Sequence, residues 1–151
     1  MRKSLKIRVI TTANAKGLKR VARFAVSKTP AKALSKLSRD VVYELSVSLV
    51  GPEKMKRLNR QYRHKNRPTD VLAFSALEGR GPRVPVQSIG DVVVCLAVAK
   101  KQAKDYGSSL AQELRRLTVH GVLHLFGYDH EKSPKEAKRM FALQEKILKQ
   151  F

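Results

Sequence analysis

The chain has no tryptophan and a single cysteine, and its first acidic residue is Asp40. Each shortage excludes something. One cysteine cannot build a disulfide framework, and Cys95 sits in an apolar run, which reads as a buried, inert thiol in a reducing compartment. The longest apolar run, Val92 to Ala99, has eight residues, against the roughly twenty that span a bilayer. A soluble protein with no membrane partner is therefore expected. Acidic residues number 12 against 32 Lys and Arg, leaving a net charge of +20. Such a surface attracts phosphate backbones through counterion release, so nucleic acid is the first partner to consider, ahead of acidic proteins or anionic membranes. Charge alone also fits a merely solvated face, because no aromatic residues are interleaved with it.

At 151 residues the chain makes one domain, 1–151, able to bury about two-thirds of its unfolded surface without staples. Leu5, Ile7 and Val9 alternate with Lys6 and Arg8 as in a half-buried strand. A strand this early argues against a cleaved leader, although the basic, acid-free opening resembles an organelle transit peptide in composition. Leu18, Val21, Ala22 and Ala25 fall at helical spacing ahead of Pro30. Val41 to Leu49 alternates as a second strand, and Gly51-Pro52 starts a helix with Met55, Leu58 and Tyr62 on its buried side. Asp70 to Phe74 reads as a short strand, and Ala76 to Gly90 as a surface loop. Val92 to Leu96 reads as a central strand buried on both faces, followed by a helix from Ala97 to Tyr106. Ser109 with Gln112, and Ser133 with Glu136, are capping boxes for two further helices. The last carries Ala137, Met140, Phe141, Ile147 and Phe151 on its core face. The sum is an α+β domain with a small mixed sheet of about four strands packed with about five helices.

Residues 120 to 130, HGVLHLFGYDH, hold three of the four histidines. His120 and His124 lie one helical turn apart on a single face, so two imidazoles can meet one ion. Gly127 can reverse the chain in a left-handed conformation and return His130 to the pair. Three neutral imidazoles with an open fourth position describe a catalytic zinc site better than a structural one, which a fourth protein ligand would close. The plain alternative is a buried helix whose histidines are only hydrogen-bonded. Asp129 reads as a turn residue or a partner of the ligands, with a general-base role open but supported by no spacing argument.

The same spacing occurs in the metzincin proteases, where a glutamate follows the first histidine and serves as general base. Here that position is Gly121, which disfavours peptide hydrolysis.

HGVLHLFGYDH resembles the signature of the YbeY family of metal-dependent endoribonucleases. LNRQYRHKNRPTDVLAF at 58–74 and GDVVVC at 90–95 resemble two further family blocks, in matching order and spacing. The first forty residues carry no matching motif. The resemblance implies a zinc-dependent, single-strand-specific endoribonuclease of ribosomal RNA processing, acting in 16S rRNA 3′-end maturation and in ribosome biogenesis and quality control. It implies His120, His124 and His130 as ligands of one Zn(2+) per chain, and Arg63 as the catalytic arginine. It also implies the small ribosomal subunit or its assembly factors as partners and the bacterial-type cytoplasm as the location, with an organelle second. Three positions depart from the family pattern: His64 replaces a glycine, and Ala73 and Ser75 replace a serine and a proline. His64 is expected to be a plain surface histidine. A ribosome-associated RNA-binding protein with a structural zinc is the alternative from another class.

Overall fold

The structure is a computed structural model that describes residues 4–77 and 84–151. Four strands form one sheet: β1 (Lys6–Thr11), β2 (Val42–Val50), β3 (Val71–Ser75) and β4 (Val86–Cys95). Their spatial order is β1-β2-β4-β3. β1, β2 and β4 run parallel, and β3 is antiparallel to β4, so the sheet is mixed as expected. Alternation in β2 does what the sequence suggests: Tyr43, Leu45, Val47 and Leu49 are buried while the residues between them are partly exposed.

The strand expected to begin at Val92 begins at Val86, inside the stretch that reads as a loop; residues 78–83 of that stretch lie outside the described residues. The cause is a bulge that hides the strand's period. Glu44 faces Ser88 and Leu45 faces Gly90, leaving Ile89 as the extra, fully buried residue. Gly90 has φ 142°, and a Cβ there would meet the Phe74 carbonyl oxygen at 2.2 Å. No side chain fits at that point of the bulge.

A 3₁₀ turn (Ala13–Leu18) leads into α1 (Lys19–Lys28), and a short α2 (Ala31–Leu34) follows. The remaining helices are α3 (Pro52–Arg63), α4 (Leu96–Tyr106), α5 (Leu110–Leu125) and α6 (Pro134–Leu148). Among the described residues there are six α-helices, in keeping with about five; the one the sequence did not suggest is α2, a single turn with no buried residue and hence no apolar stripe to read. The main core lies between one sheet face and α1, α5 and α6, with Leu45, Val47, Leu117, Leu123 and Met140 fully or almost fully buried. A smaller cluster of Val50, Met55, Leu72, Val93 and Cys95 fills the space under α3 on the other face. Phe141 and Phe151, expected in the core, are 42% and 39% exposed. The stripe of α6 is narrower than its spacing suggests, and Met140, Gln144 and Ile147 are its buried residues. Among the described residues no helix is long and apolar enough to cross a membrane.

Candidate metal centre

α5 is fixed at its start by the expected capping box: Ser109 Oγ accepts from the Gln112 N–H at 3.1 Å, and Gln112 Oε1 accepts from the Ser109 N–H at 2.9 Å. From Leu117 to Leu123 every residue is buried, so the second half of α5 is wrapped by the fold. Gly121 allows this. A Cβ there would stand 2.5 Å from Val92 Cγ1, so the helix lies directly against β4 where the metzincin glutamate would be. α5 ends when Gly127 takes φ 90°, with the Gly127 N–H donating to the His124 carbonyl and the Tyr128 N–H to that of Leu123. Ser75 donates its hydroxyl to the Leu125 carbonyl at 2.8 Å and satisfies another carbonyl at this end.

The reversal brings His130 onto the pair. Ring centroids of His120, His124 and His130 are 4.7, 5.0 and 5.3 Å apart, and one nitrogen from each ring lies within 4.8 Å of the others. Burial holds His120 down to about pKa 4, helped by its two histidine neighbours and opposed by Gln144; burial likewise lowers His124, aided by His130 and Arg63. Both rings are therefore neutral near pH 7, as ligation requires. Gln144 Oε1 accepts from His120 Nδ1–H at 2.8 Å, which leaves Nε2 of that ring with its lone pair, 3.0 Å from His124 Nε2. His130 Nδ1 is buried without a hydrogen-bond partner. Three convergent imidazoles, one of them oriented from behind, fit a cation of the zinc, copper, iron or nickel type. Asp129 holds the turn, its Oδ1 accepting from the Glu131 N–H at 2.9 Å.

The histidines open into a cavity of about 700 Å³ whose walls also carry Arg63, Lys65 and Arg67. Arg63 is the last residue of α3, and His64 follows it in the left-handed region with φ 58°. The turn is pinned from inside: buried Asn59 donates its side-chain amide to the Arg67 carbonyl at 2.7 Å and accepts the Lys65 N–H at its own carbonyl. Lys65 and Arg67 lie inside the block at 58–74 without a role assigned to them, and Gln144 lies outside every motif. Gln144 had a signal, a polar residue at core spacing between Met140 and Ile147, whereas the two cations are indistinguishable in sequence from the chain's many others.

Asp70 also lines the cavity; its Oδ1 accepts from the Val71 N–H and its Oδ2 from Gln102 Nε2. Arg116, another lining residue, donates from Nε and Nη2 to the two carboxylate oxygens of buried Glu113 at 3.0 and 2.5 Å.

The family model described as Endoribonuclease YbeY matches residues 8–151. An Endoribonuclease YbeY of Persephonella marina is 43% identical over 131 residues, 87% of this chain and 84% of that one. One from Aquifex aeolicus is 40% identical over 130 residues, 86% and 84% of the two chains. A solution structure of a Thermotoga maritima protein superposes with a TM-score of 0.53 at 32% identity, covering 94% of this chain and 86% of that one. With the match running through the histidine turn, the arginine loop and the bulged strand, the chain belongs to the YbeY endoribonuclease family.

Proposed function

We propose that the protein is a zinc-dependent endoribonuclease that cleaves single-stranded ribosomal RNA. Its place is the maturation of the 16S rRNA 3′ end and the biogenesis and quality control of ribosomes in the cytoplasm, beside the small subunit or its assembly factors. One observation carries the reading: three convergent imidazoles line one cavity with the cationic side chains Arg63, Lys65, Arg67, Arg116 and Lys132. His120, His124 and His130 would hold the ion. Zinc there supplies a Lewis acid for a phosphoryl oxygen and lowers the pKa of water.

The chain's own residues do the rest. Gln144 keeps the proton of His120 on Nδ1 and so keeps Nε2 available. Lys65 and Arg67 attract the phosphates on either side of the cut and set the strand's register. Arg63 supplies a planar fork of donors that matches two phosphoryl oxygens and stabilises the charge that builds up there in the transition state. Peptide hydrolysis lacks its general base at Gly121, and the 2.5 Å approach to Val92 leaves no room for a glutamate.

The test is Arg63→Ala. Cleavage of single-stranded RNA at saturating substrate should slow by about 10²–10³ while binding weakens little and metal content is unchanged. Arg63→Lys should rescue poorly, because a point charge lacks the fork. If Arg63→Ala cuts as fast as the parent, the catalytic role fails and an RNA-binding assembly protein with a structural zinc takes its place.

A further inference from the structure

A second chamber of about 590 Å³ adjoins the histidine cavity, and the two share Tyr106, Arg116 and Phe141 in their walls. Its lining is unusual for this molecule. Four aromatic rings are exposed among the described residues, and three of them, Tyr106 at 67%, Phe141 at 42% and Phe151 at 39%, face this chamber. The fourth, Tyr62, packs edge-on against Phe74, and Phe151 likewise packs edge-on against Phe24, which leaves Tyr106 and Phe141 as the rings the chamber offers. Phe141 stands at the junction, its ring centre 5.6 Å from that of His130 and 6.2 Å from that of His120, nearly parallel to the latter at 26°. The charges divide differently between the chambers. Arg63, Lys65 and Arg67 line only the first, whereas in the second the fork of Arg116 is engaged by Glu113 and the lining of Arg115 and Arg116 is matched in number by the carboxylates of Glu113 and Glu145. The first chamber suits phosphates and the second does not. Arg116 Nη1 is in no hydrogen bond among the described residues, so one edge of a rigidly held guanidinium remains at the boundary.

We propose that the second chamber is a nucleobase subsite: a base adjacent to the cleaved phosphate leaves its stack and lies against Phe141 and Tyr106, with Arg116 Nη1 donating to a base or phosphate acceptor. The proposal rests on the RNA-cleaving reading and deepens it, because it explains a preference for unpaired RNA. A base in a duplex cannot swing into a side chamber, whereas single strands are recognised by stacking of splayed bases on aromatic rings. Stacking tolerates any base, so the subsite selects strandedness rather than sequence.

The experiment measures binding of a fluorescent single-stranded RNA by anisotropy, over a range of salt, to the purified protein and to Phe141→Ala and Tyr106→Ala. A second ligand of the same length carries abasic sugars throughout. Each variant should bind RNA about tenfold or more weakly with the salt slope unchanged, since stacking releases no counterions. Parent and variants should bind the abasic chain equally and weakly. Thermal unfolding and metal content, measured on each variant, identify any that is misfolded or has lost its ion, and Phe141→Tyr, which keeps a ring, should bind like the parent. Variants that bind RNA as the parent does, or a parent that binds the abasic chain as tightly as RNA, would overturn the subsite. Cleavage of the RNA by the parent in that case leaves the nuclease reading standing; a parent that neither binds nor cleaves sinks both.

Discussion

His64 is the only residue other than glycine with a positive φ among those described, and it closes α3. A side chain in the left-handed region is strained by about 1 kcal/mol or more, and the ring is exposed with no hydrogen bond to offset this among the described residues. His64→Gly should therefore raise stability, by up to about 1 kcal/mol after the added freedom of the unfolded chain, and leave cleavage unchanged. His64→Ala, still left-handed, should bring no gain. Thermal unfolding of the pair decides it: a glycine variant no more stable than the alanine one would mean the strain is absent. His120 carries a pH dependence of definite sign. Its ordinary pKa is 6.5 and burial lowers it to about 4 in the metal-free fold, so between these values the unfolded chain binds the extra proton. Metal-free protein should lose stability as pH falls through that window and keep it above pH 6.5. Urea midpoints at pH 7.5 and 5 should diverge in the parent and less so in His120→Gln. A midpoint equal at the two pH values would contradict the buried, neutral ring. His124→Ala should remove most of the bound metal, measured on purified protein, because two imidazoles do not make the site.

At the scale of elements, α5 against β4 is the contact on which the site depends. Alanine ordinarily favours a helix over glycine by about 1 kcal/mol, yet Gly121→Ala should destabilise by about 1–3 kcal/mol, because its Cβ enters the space of Val92 Cγ1. Adding Val92→Ala should recover part of the loss, and a denaturation cycle over the four proteins measures the coupling. Additive effects would show that the two do not touch. The elements that could be read from sequence are those whose period survives in one helix or strand. The capping box of Ser109 and the alternation of β2 are local patterns, and the structure follows both. Of the second box only half forms: Ser133 Oγ accepts from the Glu136 N–H, while Glu136 lies 3.9 Å from Arg139. The first half of β4 stayed hidden because Ile89 is inserted opposite no partner, and a bulge is a property of two strands. The histidine trio was legible since its spacing is itself the geometry. The Asn59 clamp and the second chamber were not, because they join residues far apart in the chain and of common types.

For the whole molecule, charge is the dominant fact. From Lys6 to Arg39 the chain carries ten basic residues, all exposed, and no acidic one. Arg8 is near Glu44 at 3.8 Å, but most of this surface faces solvent. RNA binding by the metal-free protein should weaken steeply with salt, with a log–log slope of several units for the phosphates neutralised. An affinity that is flat between low and high salt would exclude an electrostatic footprint. The sheet order has a further consequence, for the way the molecule comes to exist. β2 meets its inner partner only when β4, some forty residues later, has been made, and both need α5 to cover them. Parallel neighbours cannot pair through a tight turn, so little of the core can form from a growing N-terminal fragment. During synthesis the basic stretch 6–39 emerges before the strands that complete its sheet and should stay unfolded, a cationic segment that nearby phosphates attract. Folding, once the last helices arrive, should be a single late event on the millisecond-to-second scale.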